Sequence, residues 1–158
     1  MALTKDQIKT NYPLPVYNYR VDIDNTSISF SEVSGLELSF SQITYKESYA
    51  TSGKSGPNVM IMPGQKQPTT ISLKKGFVKG VSIKALYDWI NGIELNRVDK
   101  KDITVHLLDE TGSTVVSWKC IDAFPTKLTA PTFDAKSDEV AVESMELVAG
   151  RVTMEEAS

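Results

Sequence analysis

"DITVHLLDETGSTVVSWKCIDAF" occupies Asp102–Phe124. In its first half Ile103, Val105 and Leu107 fall on one face. In its second half Val116, Trp118 and Cys120 do the same. A period of two is the mark of a strand with one face buried. Glu110–Ser113 separate the two runs, with Thr111-Gly112 as the turn, so the pattern predicts a β-hairpin.

The same alternation recurs on either side. "YNYRVDI" (Tyr17–Ile23) sets Tyr17, Tyr19, Val21 and Ile23 against Asn18, Arg20 and Asp22. Asp24-Asn25 then predict a turn into "TSISF". "GLELSF" (Gly35–Phe40) sets Leu36, Leu38 and Phe40 against Glu37 and Ser39, and the parity then slips to Ile43 and Tyr45. A slip of one residue would turn every side chain over, so a bulge is expected near Ser41-Gln42. "TTISLKKG" (Thr69–Gly76) and "DEVAVESMELVAGRVTM" (Asp138–Met154) complete the strand regions. One segment, "VSIKALYDWINGIE" (Val81–Glu94), has helical spacing at Ile83, Leu86, Tyr87 and Ile90. Ser82 is its expected N-cap and Gly92 its expected end. The predicted class is mainly β: a β-barrel or sandwich of two packed antiparallel sheets with one short flanking α-helix over about residues 82–91. Residues 1–158 are expected to form a single domain, with an N-terminal arm over 1–15 punctuated by "YPLP" and a long loop over 46–66.

That loop is unusual. "SYATSGKSGPNVMIMPGQKQP" (Ser48–Pro68) is rich in Gly, Pro, Ser and Lys, yet Val59, Met60, Ile61 and Met62 are four consecutive apolar residues. Burying four such side chains does not offset the entropy of ordering some twenty residues. The patch therefore needs strand pairing or the surface of a second subunit, and methionine adapts well to irregular surfaces.

The chain has 158 residues and a formal net charge of −3. It lacks the basic stripe of a nucleic-acid binder, so no specific nucleic acid is expected as a partner. One cysteine excludes an intramolecular disulfide framework, and one His with one Cys cannot assemble a structural zinc site. The N-terminal residues have no apolar core of a secretory signal, so export by a signal peptide is not expected. His106 reads as a solvated strand residue without a catalytic partner. Asp138, Glu139, Glu143 and Glu146 read as a solvated strand face, although paired carboxylates could serve a hydrolase. Trp89 and Trp118 could stack on a sugar, but core packing is the commoner use. No catalytic residue, cofactor or metal is expected, and weight shifts to a structural role. The rival reading is a monomeric β-sandwich binding module, for example for carbohydrate.

Several stretches in order resemble a known family. They are "YNYRVDI" with "ISFSEVSGLELSF", "MPGQ" before "TISLKKG", "LYDWINGIELNRVDKKDITVHLLDETG", and "FPTKLTAPTFDAKSDEVAVESMELVAGRVTM". Over roughly Tyr12–Met154 the chain is similar to the phage tail tube proteins of the T4-like type. More narrowly, it resembles the inner-tube subunits of extracellular contractile injection systems. The resemblance implies a non-enzymatic subunit of hexameric rings that stack into a hollow conduit for cargo. Its implied partners are copies of itself, contractile sheath subunits, baseplate or hub proteins and tube-terminating proteins. The implied setting is a phage tail-like particle, assembled in the bacterial cytoplasm without a signal peptide and released extracellularly in some systems. Tyr45, Val59, Met60, Ile61, Met62, Pro63 and Gly64 are then expected at inter-subunit contacts. Glu37, Ser39, Ser41, Thr70, Ser72 and Lys74 are expected to face the lumen, because a conduit needs a wetted wall of small polar groups.

Overall fold

The computed structural model describes residues 2–51, 53–78 and 85–157. The elements in chain order are α1 (Lys5–Asn11), β1 (Tyr19–Ile23), β2 (Thr26–Ile28), β3 (Glu32–Ser34), β4 (Phe40–Ser48) and β5 (Pro57–Lys66). They continue with β6 (Thr69–Gly76), α2 (Ala85–Asn91), β7 (Lys101–Leu108), β8 (Thr114–Thr129), β9 (Val142–Ala149) and β10 (Arg151–Glu156). The architecture is the expected pair of packed antiparallel sheets with the one expected flanking helix, α2, joined by a second short helix, α1, and a separate two-stranded ribbon.

One sheet runs β2-β1-β7-β8 and ends on β10. The other runs β3-β6-β9 and ends on the C-terminal half of β8. The sixteen residues of β8 belong to both. Its residues Val116–Ile121 pair with β10, and Phe124–Thr129 pair with β9. The corner falls at Asp122, which sits at φ 56 and donates its N–H to Asp102 Oδ1 at 3.1 Å. Gly150 lies opposite, its N–H donated to the Ile121 carbonyl. A long strand that bends at one residue lets two sheets share a hydrogen-bonded ribbon and still face each other across a core.

The inward side chains follow from parity. Val21, Ile23, Ile103, Val105, Cys120 and Val152 come from the first sheet, and Ile71, Leu73, Met145, Leu147 and Ala149 from the second. Ile103 is in register with Ile23 and with Cys120, and Val105 with Val21 and with Trp118. The hairpin turn read from Thr111-Gly112 is present. Asp109 Oδ1 accepts from the N–H groups of Thr111 and Ser113 at 2.9 and 3.0 Å. The Asp24-Asn25 turn is present too.

Helix α2 covers the sandwich with Leu86 and Trp89, and Tyr87 is half exposed. Trp89 therefore takes the inward position expected of Tyr87. The helix ends one residue before Gly92, as expected. The predicted N-cap Ser82 and Ile83 lie outside the described residues. In the expected arm over 1–15, α1 forms a capping box between Thr4 and Gln7, and Lys9 meets Glu110 at 3.0 Å.

The segment read as a loop over 46–66 differs. Pro57–Lys66 is a strand, paired with β4 from Ser48↔Pro57 to Phe40↔Lys66. The expected bulge is there, as a register shift between Phe40 and Gln42. Strand pairing satisfies the backbone of this segment, which composition alone had marked as irregular.

Candidate functional site

β3 and β4 lie along one line of chain, and β5 and β6 along the opposing one. Together they form a single long hairpin whose base belongs to a sheet and whose outer part does not. At the base, Val33 is in register with Leu73. Gly35 then breaks the parity at φ +88, where a Cβ would collide with the Thr70 carbonyl. Beyond it the pairing is carried by Thr69 Oγ1 donating to the Glu37 carbonyl and by the Gln67 N–H donating to Ser39. The outer part, β4 with β5, is a two-stranded ribbon that is its own sheet.

One face of this ribbon is apolar over its central pairs, and the other mixes apolar with polar side chains. Ile43, Tyr45, Met60 and Met62 share one face through the pairs Ile43↔Met62 and Tyr45↔Met60. Val59, Ile61 and Pro63 lie on the other, opposite Lys46, Thr44 and Gln42. Ile61 is 68% exposed and Met60 40%. Phe40 and Leu38, expected inside, are exposed as well, because the second layer does not reach them. Gly64 is used within the ribbon, where a Cβ would strike Ser41 Oγ. The chain exposes 11,713 Å². A compact monomer of this mass would expose about 7,800 Å². Large exposed apolar patches on soluble proteins mark interaction sites, which makes the ribbon a candidate interaction surface.

The six residues expected at a lumen fall into two groups. Thr70, Ser72 and Lys74 alternate with buried Ile71 and Leu73 along β6, on the outward face of its sheet. Cross-strand neighbours on that face are Ser34, Ser144 and Glu146. Lys74 pairs with Glu32 at 3.2 Å. Glu37, Ser39 and Ser41 lie past Gly35, at the root of the ribbon.

The candidates for chemistry resolve differently from their sequence reading. His106 is not a solvated residue: it is half-buried on the outer face of the first sheet. Its Nε2 lies 2.9 Å from Asp22 Oδ2, and its Nδ1 lies 2.8 Å from Ser117 Oγ. Sequence missed this cluster because the three residues come from three strands, joined only by register. Burial pushes the Asp22 carboxyl up, but hydrogen bonds from Ser27 and His106 and the nearby Arg20 outweigh it. The net pKa lies below the usual carboxylate range. The three groups sit mid-strand, where backbone N–H groups are engaged in the ladder and cannot form an oxyanion hole. The cluster is a cross-strand polar network.

Glu143 is not on a solvated face either. It is buried in parity with Met145 and in register with the equally buried Lys75, and burial raises its carboxyl pKa despite the lysine. Asp138 and Glu139 lie outside β9, in the connection from β8, and Glu146 is on the opposite face of β9 from Glu143. Trp89 is buried, donates Nε1–H to the Asp99 carbonyl at 2.7 Å and lies under Lys101, which removes it as a sugar platform. Cys120 is fully buried and burial pushes its thiol up to about 12. No group of three or more metal-ligating side chains occurs among the described residues. No helix there is long and apolar enough to cross a membrane.

Comparison with known proteins matches residues 15–153 to the family of the T4-like virus tail tube protein gp19. No curated protein matches the chain. Among solved structures, a chain of the extracellular contractile injection system PVC sheath–tube complex in the extended state is 41% identical. That match covers 99% of this chain and 100% of the other, with a TM-score of 0.87. A chain of the anti-feeding prophage cap (AFP tube terminating cap) is 42% identical over 99% and 100%, with a TM-score of 0.84. A chain of the PVC sheath/tube terminator in the extended state is 42% identical over 92% and 98%, with a TM-score of 0.82. The reading as a monomeric carbohydrate-binding module is not supported by these relatives.

Proposed function

The chain belongs to the T4-like virus tail tube protein family, and from this premise we propose that its copies close into hexameric rings stacked as a hollow conduit. Its function is that of a tube subunit of a contractile injection system or phage tail. The observation that carries the ring reading is the ribbon β4–β5, with the apolar face of Ile43, Tyr45, Met60 and Met62 exposed on a chain with surface far in excess of a compact monomer. A neighbouring copy covers Tyr45 and Val59–Gly64. Contractile sheath surrounds the tube, a terminator closes one end and a baseplate or hub holds the other. Similar chains occur in sheath–tube and cap complexes, which supports these partners. The particle acts outside the cell that made it, and the subunit performs no catalysis.

Within the conduit, the outward face of β6 with Thr70, Ser72 and Lys74 lines the lumen, joined at the ribbon root by Glu37, Ser39 and Ser41. Small hydroxyl groups wet the wall without gripping cargo. Electron microscopy and sedimentation of the full-length chain test the assembly. Rings or stacks are expected. A 17.4 kDa species alone at high concentration, with and without a tube-initiating partner, would overturn it. The lumen assignment is tested by Ser72→Cys and Ser39→Cys. Shielding from a thiol reagent too bulky for the pore is expected in tubes, and equal labelling of tubes and free subunit refutes it.

A further inference from the structure

An apolar groove of about 740 Å³ opens at the end of the sandwich remote from the Asp122 corner. Tyr17, Tyr19, Phe30, Leu36, Leu107 and Trp118 line it. Its floor is the inward face of the first sheet, continued past the point where the second sheet stops covering it. Parity explains this. Tyr19, Leu107 and Trp118 point the same way as buried Ile23, Ile103 and Cys120, two or four residues further along each strand. Core-type side chains therefore run out into an open trough. Tyr19 is anchored there by its hydroxyl, which donates to the Phe30 carbonyl at 2.6 Å.

Resting on the tube reading above, we infer that this groove seats the β4–β5 ribbon of a second copy. The ribbon cannot reach its own groove. Leu36 lines the groove only four residues before the ribbon begins at Phe40, and Glu32–Ser34 are held in register with Lys74–Ser72. Folding back would break that pairing. The two surfaces occur once each per chain, and among the described residues nothing covers either, so a second copy supplies both at equal stoichiometry. A contact between two different patches of identical chains is head-to-tail, and it closes into a ring or propagates. The area is sufficient. A stable interface takes about 800 Å² from each partner, so giving one ribbon and receiving another calls for two such shares. That is well within the surface excess of the chain. The face offered to the groove is that of Ile43, Tyr45, Met60 and Met62, in which methionine and tyrosine suit a pocket of mixed shape.

The test uses Tyr17→Cys and Met60→Cys, 82% and 40% exposed in the wild type. Cys120 stays in place, since it is buried and unreactive. The two single variants are co-expressed, rings are isolated by sedimentation and oxidised, and dimers are resolved on a non-reducing gel. Mixed Tyr17→Cys with Met60→Cys dimers are expected, with none in rings of either variant alone. Rings that give Met60→Cys homodimers and no mixed dimer overturn the groove inference and leave the tube reading standing. Absence of rings in the wild type as well overturns both. As a second measurement, Val16→Asp and Tyr17→Asp change side chains 86% and 82% exposed. They should leave the melting temperature unchanged and lower ring yield at least about tenfold at fixed concentration. Undiminished ring yield would overturn the inference.

Discussion

The long hairpin from Glu32 to Gly76 has two halves with nearly one register and opposite fates. At the base, Ile71 and Leu73 are fully buried, because β9 continues the sheet beside them and the first sheet packs over them. In the outer half, Ile61, Met60 and Met62 stand in solvent on strands with the same backbone pairing. Alternation and pairing make a strand; only a second layer makes a core. The base belongs to the stability of the subunit; the ribbon adds little to it and, on the proposed reading, serves assembly.

The sharpest way to break this contrast is to truncate an apolar residue in each half. Leu73→Ala should lower the unfolding free energy by about 2–5 kcal/mol, through lost burial and a residual cavity. Urea denaturation measures it, and a change below 1 kcal/mol would mean that the base is not core. Between the halves stands Gly35. Gly35→Ala forces a side chain into a left-handed backbone and against the Thr70 carbonyl. It should cost about 1–3 kcal/mol, and a neutral thermal melt would show that the hinge relaxes freely.

Next in size is the polar network on the outer face of the first sheet. His106→Ala removes two hydrogen bonds and leaves Asp22 and Ser117 short of partners, for an expected loss of about 1–2 kcal/mol. The pH dependence has a definite sign. The folded carboxyl of Asp22 titrates below its unfolded value. The stability it contributes is present above the unfolded carboxylate range and is lost as pH falls through the folded value. The difference in urea midpoint between wild type and Asp22→Asn should shrink on acidification, and a constant difference would remove Asp22 from the acid response. The smallest effect on the monomer belongs to the ribbon. Ile61→Ser should move subunit stability by no more than about 0.5 kcal/mol, read by the same denaturation. Unfolding on the scale of Leu73→Ala would place Ile61 in a core and erase the contrast.

Much of this was legible in the residues. The strands around Thr111-Gly112, the turn at Asp24-Asn25 and the bulge beside Ser41 follow from period and parity. The apolar run Val59–Met62 drew attention to the ribbon even while its Gly, Pro and Ser content marked it as a loop. Composition misled there because flanking residues set the propensity average, whereas the pairing of Pro57–Lys66 with Phe40–Ser48 is decided by cross-strand register. Glu143 misled in the opposite direction: a carboxylate reads as exposed until parity with Met145 turns it inward opposite Lys75.

By itself the sequence determined the β class, most turns, the kinked strand entering the ribbon and the absence of a basic footprint, all of which are local in the chain. Tertiary structure alone decided which apolar faces are covered. It brought Asp22, His106 and Ser117 from three strands to within hydrogen-bond distance. It also bent β8 at Asp122 so that one strand serves two sheets, leaving the groove open at one end and the ribbon bare beyond it. Burial depends on what packs over a face, and that partner lies far away in sequence.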